Sequence, residues 1–462
     1  MSTYLRSLPV ATALLAAATF LFSGCNAATS GIHPTPAQSG PAFVVGTDAP
    51  MASVVSFSVQ LQSITATDAA GNSVSLISGS PTVDFARFNG LQTLLDLNDV
   101  APGTYTSVTI TLGQGTIGYL DTTTARPTIQ TEGATFSTNT VTATLATPMV
   151  VAEAGTPVGL HLDFDLRKSI QVDASGNITG AVTPTFHVNS VANSDSGAYI
   201  DTFDAAVVSV GATSFVVQGP HGRQFTVNVT GQTEWENNES LADLTTSSIV
   251  ELSGQLDRAD STIDADSVAI LSQSGFFAAG QVTYVTPAAG DATSFDLYVR
   301  GLLPTTTGIT LGQIATVNLS GNEKYFINWR RNALTQFLFN SSALLPGQHV
   351  SIGGPATGAD NASDVTAKRI VLRHWGFNGT VVAGSRDPSA GTFQMKINGF
   401  AGVLVPQTVT VYSTDKTGFR NGPTGIGDLS DGETVRVVGL LLKDPLDANK
   451  TVLLAHDVDE LK

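Results

Sequence analysis

The sequence predicts an all-β protein made of several modules, and three observations carry that prediction. Charged residues are only 13% of the chain, hydrophobic ones 42%, and Val, Thr, Ser, Ala and 45 glycines abound. Low charge with many β-branched residues and frequent Gly, Asn and Asp turns favours strands. Apolar residues alternate at period two in short runs, and the second half of the chain repeats one strand pattern three times. The net charge of −16 argues against sequence-independent nucleic-acid binding, which needs basic surface. It also disfavours lying on anionic lipid and suits a soluble extracytoplasmic surface. The single cysteine, Cys25, excludes an internal disulfide and any multi-cysteine zinc site. Stability must therefore come from burial, for which 462 residues suffice in several domains.

The N-terminus carries one basic side chain, Arg6, then an apolar stretch from Leu8 to Phe22. This has the form of a secretory signal and is short for a membrane span. Its end, Leu21-Phe22-Ser23-Gly24-Cys25, resembles the lipobox of bacterial lipoproteins, with Phe22 where Leu is usual. The resemblance implies lipidation at Cys25. An ordinary signal peptide with an incidental cysteine is the other reading. Asn26 is not the aspartate that favours inner-membrane retention in enterobacteria, which points to the outer membrane. Residues 1–25 are thus expected to be a lipoprotein signal peptide. Residues 26–49, rich in Ala, Ser, Thr, Gly and Pro, are expected to be a flexible tether.

From residue 50 to 192 the pattern predicts a two-sheet β-sandwich of seven or eight strands. Val55, Phe57, Val59 and Leu61 give one buried face, Asp68–Asn72 a turn, and Val74 and Leu76 the return strand. Asn89 to Leu97 reads as a short helix or a strand. Pro102-Gly103-Thr104-Tyr105 leads into Val108, Ile110 and Leu112, and a further strand holds Val141, Ala143 and Leu145. Leu160, Leu162, Phe164 and Leu166 follow at strict period two, and Thr185–Val191 closes the domain. Val55–Ala66, Leu94-Leu95-Asp96-Leu97, Pro102–Tyr105, Leu162-Asp163-Phe164-Asp165 with Ser169, and the Pro184 strand resemble a bacterial envelope domain of unknown function, family 4382. The resemblance implies architecture and location, and no activity.

After the polar hinge Asn193–Gly197 come three copies of one unit, expected at 203–272, 276–373 and 374–462. Their third strands read Phe225-Thr226-Val227-Asn228-Val229, Ala315-Thr316-Val317-Asn318-Leu319 and Gln407-Thr408-Val409-Thr410-Val411. Their fourth strands end on Gly254, Gly353 and Gly439, where a glycine permits a turn or sharp bend. Three strands, an irregular or helical link and two more strands predict a small closed barrel of the OB type, which removes exposed edges. The links are Asn237–Thr246, Asn332–Leu345 and Asn421–Asp431, and the second copy carries an insertion around Gly301–Leu311. Spacing and motif resemble a second bacterial family of unknown function, number 5666, found in tandem in exported proteins.

OB-type barrels imply oligonucleotide or oligosaccharide binding, and acidity with export disfavours the first. Aromatic side chains on a barrel face suit a saccharide. Trp235, Trp329 and Trp375 are the candidates, with Tyr325, Phe326 and Arg330 beside the second; packing into the core or over an edge is the plainer reading of each. Asp163 and Asp165, with His161 and Arg167 on the same strand face, are candidate metal ligands. Neutralisation by Arg167 and Lys168 is the plainer reading. There is no His-Glu-x-x-His, no Gly-x-Ser-x-Gly and no phosphate loop, and the seven histidines are scattered along the chain.

The sequence therefore points to a non-catalytic, lipid-anchored envelope protein without a cofactor. It would face the periplasm or the cell surface and bind or space a polysaccharide or protein partner. A glycan hydrolase with a carboxylate pair in an inter-domain groove, and a calcium-stabilised adhesion stalk, are the alternatives.

Overall fold

The computed structural model describes residues 39–461 except 50–53, 89–91, 122–123, 125, 154–157, 175–176, 193–198, 220–221, 258–261, 274, 304–308, 328–336, 355–363, 398–406, 421 and 448. The leader, Cys25, the tether up to residue 38, the hinge 193–197, Trp329 and Arg330 lie outside the described residues. The described residues are nearly all β, with 63% strand and 5% helix.

The N-terminal module is a sandwich. One sheet has the order Phe186–Ala192, Val158–Asp165, Gly40–Ala49, Thr93–Val100. The other centres on the long strands Val54–Asp68 and Gly103–Asp121, flanked by Ser73–Ser75, Thr82–Asp84, Thr128–Gly133 and Thr140–Val151. Between them Phe164 meets Phe57 at 5.2 Å and Phe85 at 5.1 Å, ring edge against ring face. A small sheet of Thr135–Phe136, Ile170–Val172 and Ile178–Val182 covers one end. The Tyr105 hydroxyl donates to the Ala101 carbonyl at 2.7 Å and pins the turn that starts its strand.

One expectation is corrected here. Residues 40–49, read as tether, form an inner strand of the first sheet, parallel to Val158–Asp165 and antiparallel to Thr93–Val100. Ala42 and Val44 bury into the sandwich while Phe43 and Val45 bury on the other side. A strand covered on both faces shows a continuous apolar run rather than alternation. The segment left open as helix or strand is strand from Thr93 to Val100.

Each repeat closes into a five-stranded barrel. In the first, the strands Gln224–Asn228, Ser214–Gln218, Tyr199–Val210, Ile249–Asp257 and Thr262–Ser272 are neighbours in that order, and the last pairs in parallel with the first. The third repeats this order, closed by Gln407–Tyr412 against Thr451–Glu460. In the second the closing strand is split. Asp364–Thr366 pairs with Ile314–Asn318, and Arg369–Arg373 pairs with His349–Gly353. The links contain 3-10 turns: Glu236–Asn238, Leu241–Asp243, Ser341–Ala343 and Ile426–Asp428. In the first and third barrels the fourth-strand glycine does not end its strand. Pairing slips by one residue at Ser253/Gly254 and at Val438/Gly439, and both strands continue as part of a long hairpin.

The modules share cores rather than hanging as separate beads. Phe43, Val45, Leu94 and Leu97 of the sandwich join the core of the first barrel. Leu440, Leu442, Val452 and Leu454, from the hairpin of the third barrel, join the core of the second. Ile249 and Leu271 of the first barrel pack on Phe277 and Ala279 of the second. Arg126 of the sandwich forks onto Asp296 of the second barrel, with Nη2 2.6 Å from Oδ1.

Candidate functional site

This mutual packing leaves a half-open cavity of about 490 Å³ lined by all four modules. Strand alternation explains how charged groups reach it. Val350, Ile352 and Leu372 point into the second barrel, so their neighbours His349 and Arg373 point outward, where the other modules cover them. Arg300 leaves the same barrel from between Val299 and Leu302. The sandwich supplies Asp84 and Arg87, the first barrel Asp201, Asp204, Glu236 and Glu251. The third barrel supplies His374, His456 and Asp457.

Arg373, 4% exposed, is the hub of the cavity wall. It pairs with Asp204 at 2.7 Å and 3.2 Å and with the Glu251 carboxylate. Thr202 donates its hydroxyl to Glu251 at 2.9 Å. One cation from the second barrel thus binds two carboxylates from the first. Arg300 donates to the Ala86 carbonyl of the sandwich at 2.8 Å and stacks 4.8 Å above the ring of buried Trp375. Both guanidinium groups therefore tie modules together.

The imidazoles sit beside them. His349 packs edge-on against Trp375 at 4.5 Å, and its Nδ1 lies 3.2 Å from the His374 carbonyl oxygen. A carbonyl only accepts, so Nδ1 carries the proton and Nε2 carries the lone pair. Burial drives the His349 pKa down to about 4, so this tautomer is neutral across the physiological range. His374 and His456 face each other at 4.8 Å, and His456 Nδ1 lies 2.6 Å from Asp457, which also binds Arg420 at 3.3 Å. Burial raises the pKa of Asp84 and of Asp201. Asp84 accepts from the Phe57 amide at 2.8 Å and Asp201 from the Gln92 amide at 2.9 Å.

Scattered along the chain, His349, His374 and His456 nonetheless line one cavity. The aromatic candidates lie elsewhere. Trp235 packs on the first barrel's core, 6.4 Å from Phe215. Tyr325 packs edge-on to Phe339 at 5.7 Å, and burial raises its pKa to about 12. Neither lines the cavity. Trp375 does, with its ring covered by Arg300 and His349.

Asp165 caps a one-turn helix, Leu166–Ser169, by accepting from the Lys168 amide at 3.1 Å, and pairs with the Lys168 ammonium at 2.8 Å. Asp163 is raised in pKa by burial, with His161, His187 and Arg436 nearby. Among the described residues no three His, Cys, Asp or Glu side chains are grouped to hold a metal ion.

Apart from Trp375, the cavity residues escaped sequence reasoning because they come from four modules. A signal was present in the form of arginines inside apolar strands: Arg300 in Leu297-Tyr-Val-Arg-Gly-Leu-Leu303 and Arg373 in Ile370-Val-Leu-Arg-His-Trp375. A charge there must be paired when buried.

No curated protein matches the chain. The sandwich and the first barrel each match a family model: residues 44–179 that of a domain of unknown function (DUF4382), and residues 205–269 that of a second domain of unknown function (DUF5666).

Proposed function

We propose that this is a non-catalytic binding protein of the bacterial cell envelope, anchored by lipid at Cys25, whose ligand occupies the cavity where the four modules meet. One observation supports this above all: charged groups from every module, with three imidazoles from the second and third barrels, converge on one cavity of ligand size. Buried ion pairs are weak contributors to stability, so a wall built of them fits a site kept for recognition. A saccharide end or a polar side chain of a partner would fit that volume. Thermal shift and calorimetry against envelope glycan fragments test the reading. The expected result is a binder whose affinity falls at least about tenfold when Leu311, half-exposed on the cavity wall, is changed to Trp. An unchanged affinity in Leu311→Trp places the ligand elsewhere. The anchor is tested separately: palmitate labelling of cells is expected for the wild type and lost in Cys25→Ala. Equal labelling of the two removes the anchor.

A hydrolase remains the second reading, because Asp204 and Glu251 share one guanidinium in this inter-module cavity. Against it, each carboxylate is already engaged by Arg373, whereas glycoside hydrolysis needs an acid free to protonate the leaving oxygen. Release of reducing ends from envelope glycan, abolished in Glu251→Gln, would favour hydrolysis.

A further inference from the structure

The cavity wall carries more carboxylates than cations. Six carboxylates line it, against three guanidinium groups. Two of the three cations are engaged: Arg373 with Asp204 and Glu251, Arg300 with the Ala86 carbonyl and the Trp375 ring. His349 adds a further acceptor. It is nine-tenths buried, its Nδ1 proton is spent on the His374 carbonyl, and no hydrogen-bonding group among the described residues meets Nε2. That lone pair opens onto the cavity, where an entering donor can reach it. A ligand anion would face the carboxylates, and a neutral hydroxyl offers one donor. An ammonium offers three donors and no acceptor.

We propose that the cavity takes a small organic cation, a primary amine whose ammonium donates to His349 Nε2 and to carboxylates of the cavity wall; this rests on the cavity being the ligand site. Burial has already raised Asp84 and Asp201 towards their neutral forms, so an incoming cation would favour their ionisation and proton release. The hydroxyls of an amino sugar and the chain of an aliphatic diamine both fit the volume. The shared element is the amine.

The test is calorimetric titration of the full chain at low salt with matched pairs: glucosamine against glucose, and putrescine against 1,4-butanediol, with glucose 6-phosphate as the anion. The expected result is binding of one or both amines at least about tenfold tighter than its neutral match, and no binding of the phosphate. His349→Asn retains a donor for the His374 carbonyl and removes the Nε2 lone pair. It is expected to weaken the amine about tenfold. Glucosamine binding without putrescine binding identifies the amino sugar, and the reverse identifies the aliphatic amine; each supports the proposal.

Equal or tighter binding of a neutral compound or of the phosphate, lost in Leu311→Trp, overturns the cation and leaves the cavity as a site. An amine preference indifferent to both Leu311→Trp and His349→Asn overturns the cavity itself, as does no binding of any probe at millimolar concentration. Should His349→Asn fail to fold, the matched pairs on the wild type decide the ligand class and Leu311→Trp decides the place.

Discussion

At the scale of single residues, His349 makes the sharpest prediction outside ligand binding. Its pKa is about 4 in the folded protein, lowered by burial. In the unfolded chain a histidine titrates near ~6.5, and the difference is worth roughly 3 kcal/mol. The unfolded chain takes up a proton below ~6.5 that the folded protein refuses. Stability carried by His349 is therefore whole above that pH and is lost as pH falls towards about 4. Urea unfolding at acid and neutral pH should show this loss in the wild type and a smaller one in His349→Asn. Equal losses in the two proteins would place the acid sensitivity elsewhere.

Gln281 makes a second residue-scale prediction. It is 1% exposed, and neither amide atom has a hydrogen-bond partner. Gln281→Met keeps the volume and removes the polar group, so a stability gain of about 1 kcal/mol is expected. A clear fall in melting temperature would contradict it. Neither residue was legible in the sequence, because burial of an outward-facing position depends on a module encoded elsewhere.

At the scale of the element, most strands were legible where one face is core and the other is not. Leu160, Leu162 and Phe164 are fully buried on alternate positions, as their spacing implies. The strand Gly40–Ala49 was not, since both its faces are covered and its flanks of Pro and Gly imitate a linker. Fourth-strand glycines were read as bends after the strand. Two of the three are bulges within it, and the reason is a close approach. A Cβ on Gly439 would strike the Leu454 carbonyl of the paired strand, while one on Gly133 would meet nothing. Gly439→Ala should therefore cost roughly 2–4 kcal/mol and Gly133→Ala within about 0.5 kcal/mol of zero. Matched denaturant curves check this, and a mild Gly439→Ala would mean the bulge can relax.

At the scale of the whole molecule, the count of modules was legible and their union was not. Repeats announce themselves by internal similarity, whereas packing between them is written in single outward-facing residues. Arg373 is the clearest of these, joining the second barrel to Asp204 and Glu251 of the first. Replacing it with Met leaves two part-buried carboxylates without their cation, which costs up to about 3–5 kcal/mol. Replacing all three, as Arg373→Met with Asp204→Asn and Glu251→Gln, removes the uncompensated charge and should recover most of that loss. Failure of the triple variant to recover would mean that the ion pairs hold the barrels in register rather than merely satisfying one another. Leu440 and Leu442 of the third barrel are core residues of the second, and Phe43 and Val45 of the sandwich are core residues of the first, so neither the first nor the second barrel has a complete core alone. Calorimetric unfolding of the wild type should accordingly be one cooperative transition, with calorimetric and van't Hoff enthalpies in agreement. In Arg373→Met the link between the first two barrels is weakened while Arg126 and Arg300 still tie the sandwich to the second barrel, so the transition should broaden. Two separate transitions already in the wild type would show that the shared cores contribute little to cooperativity.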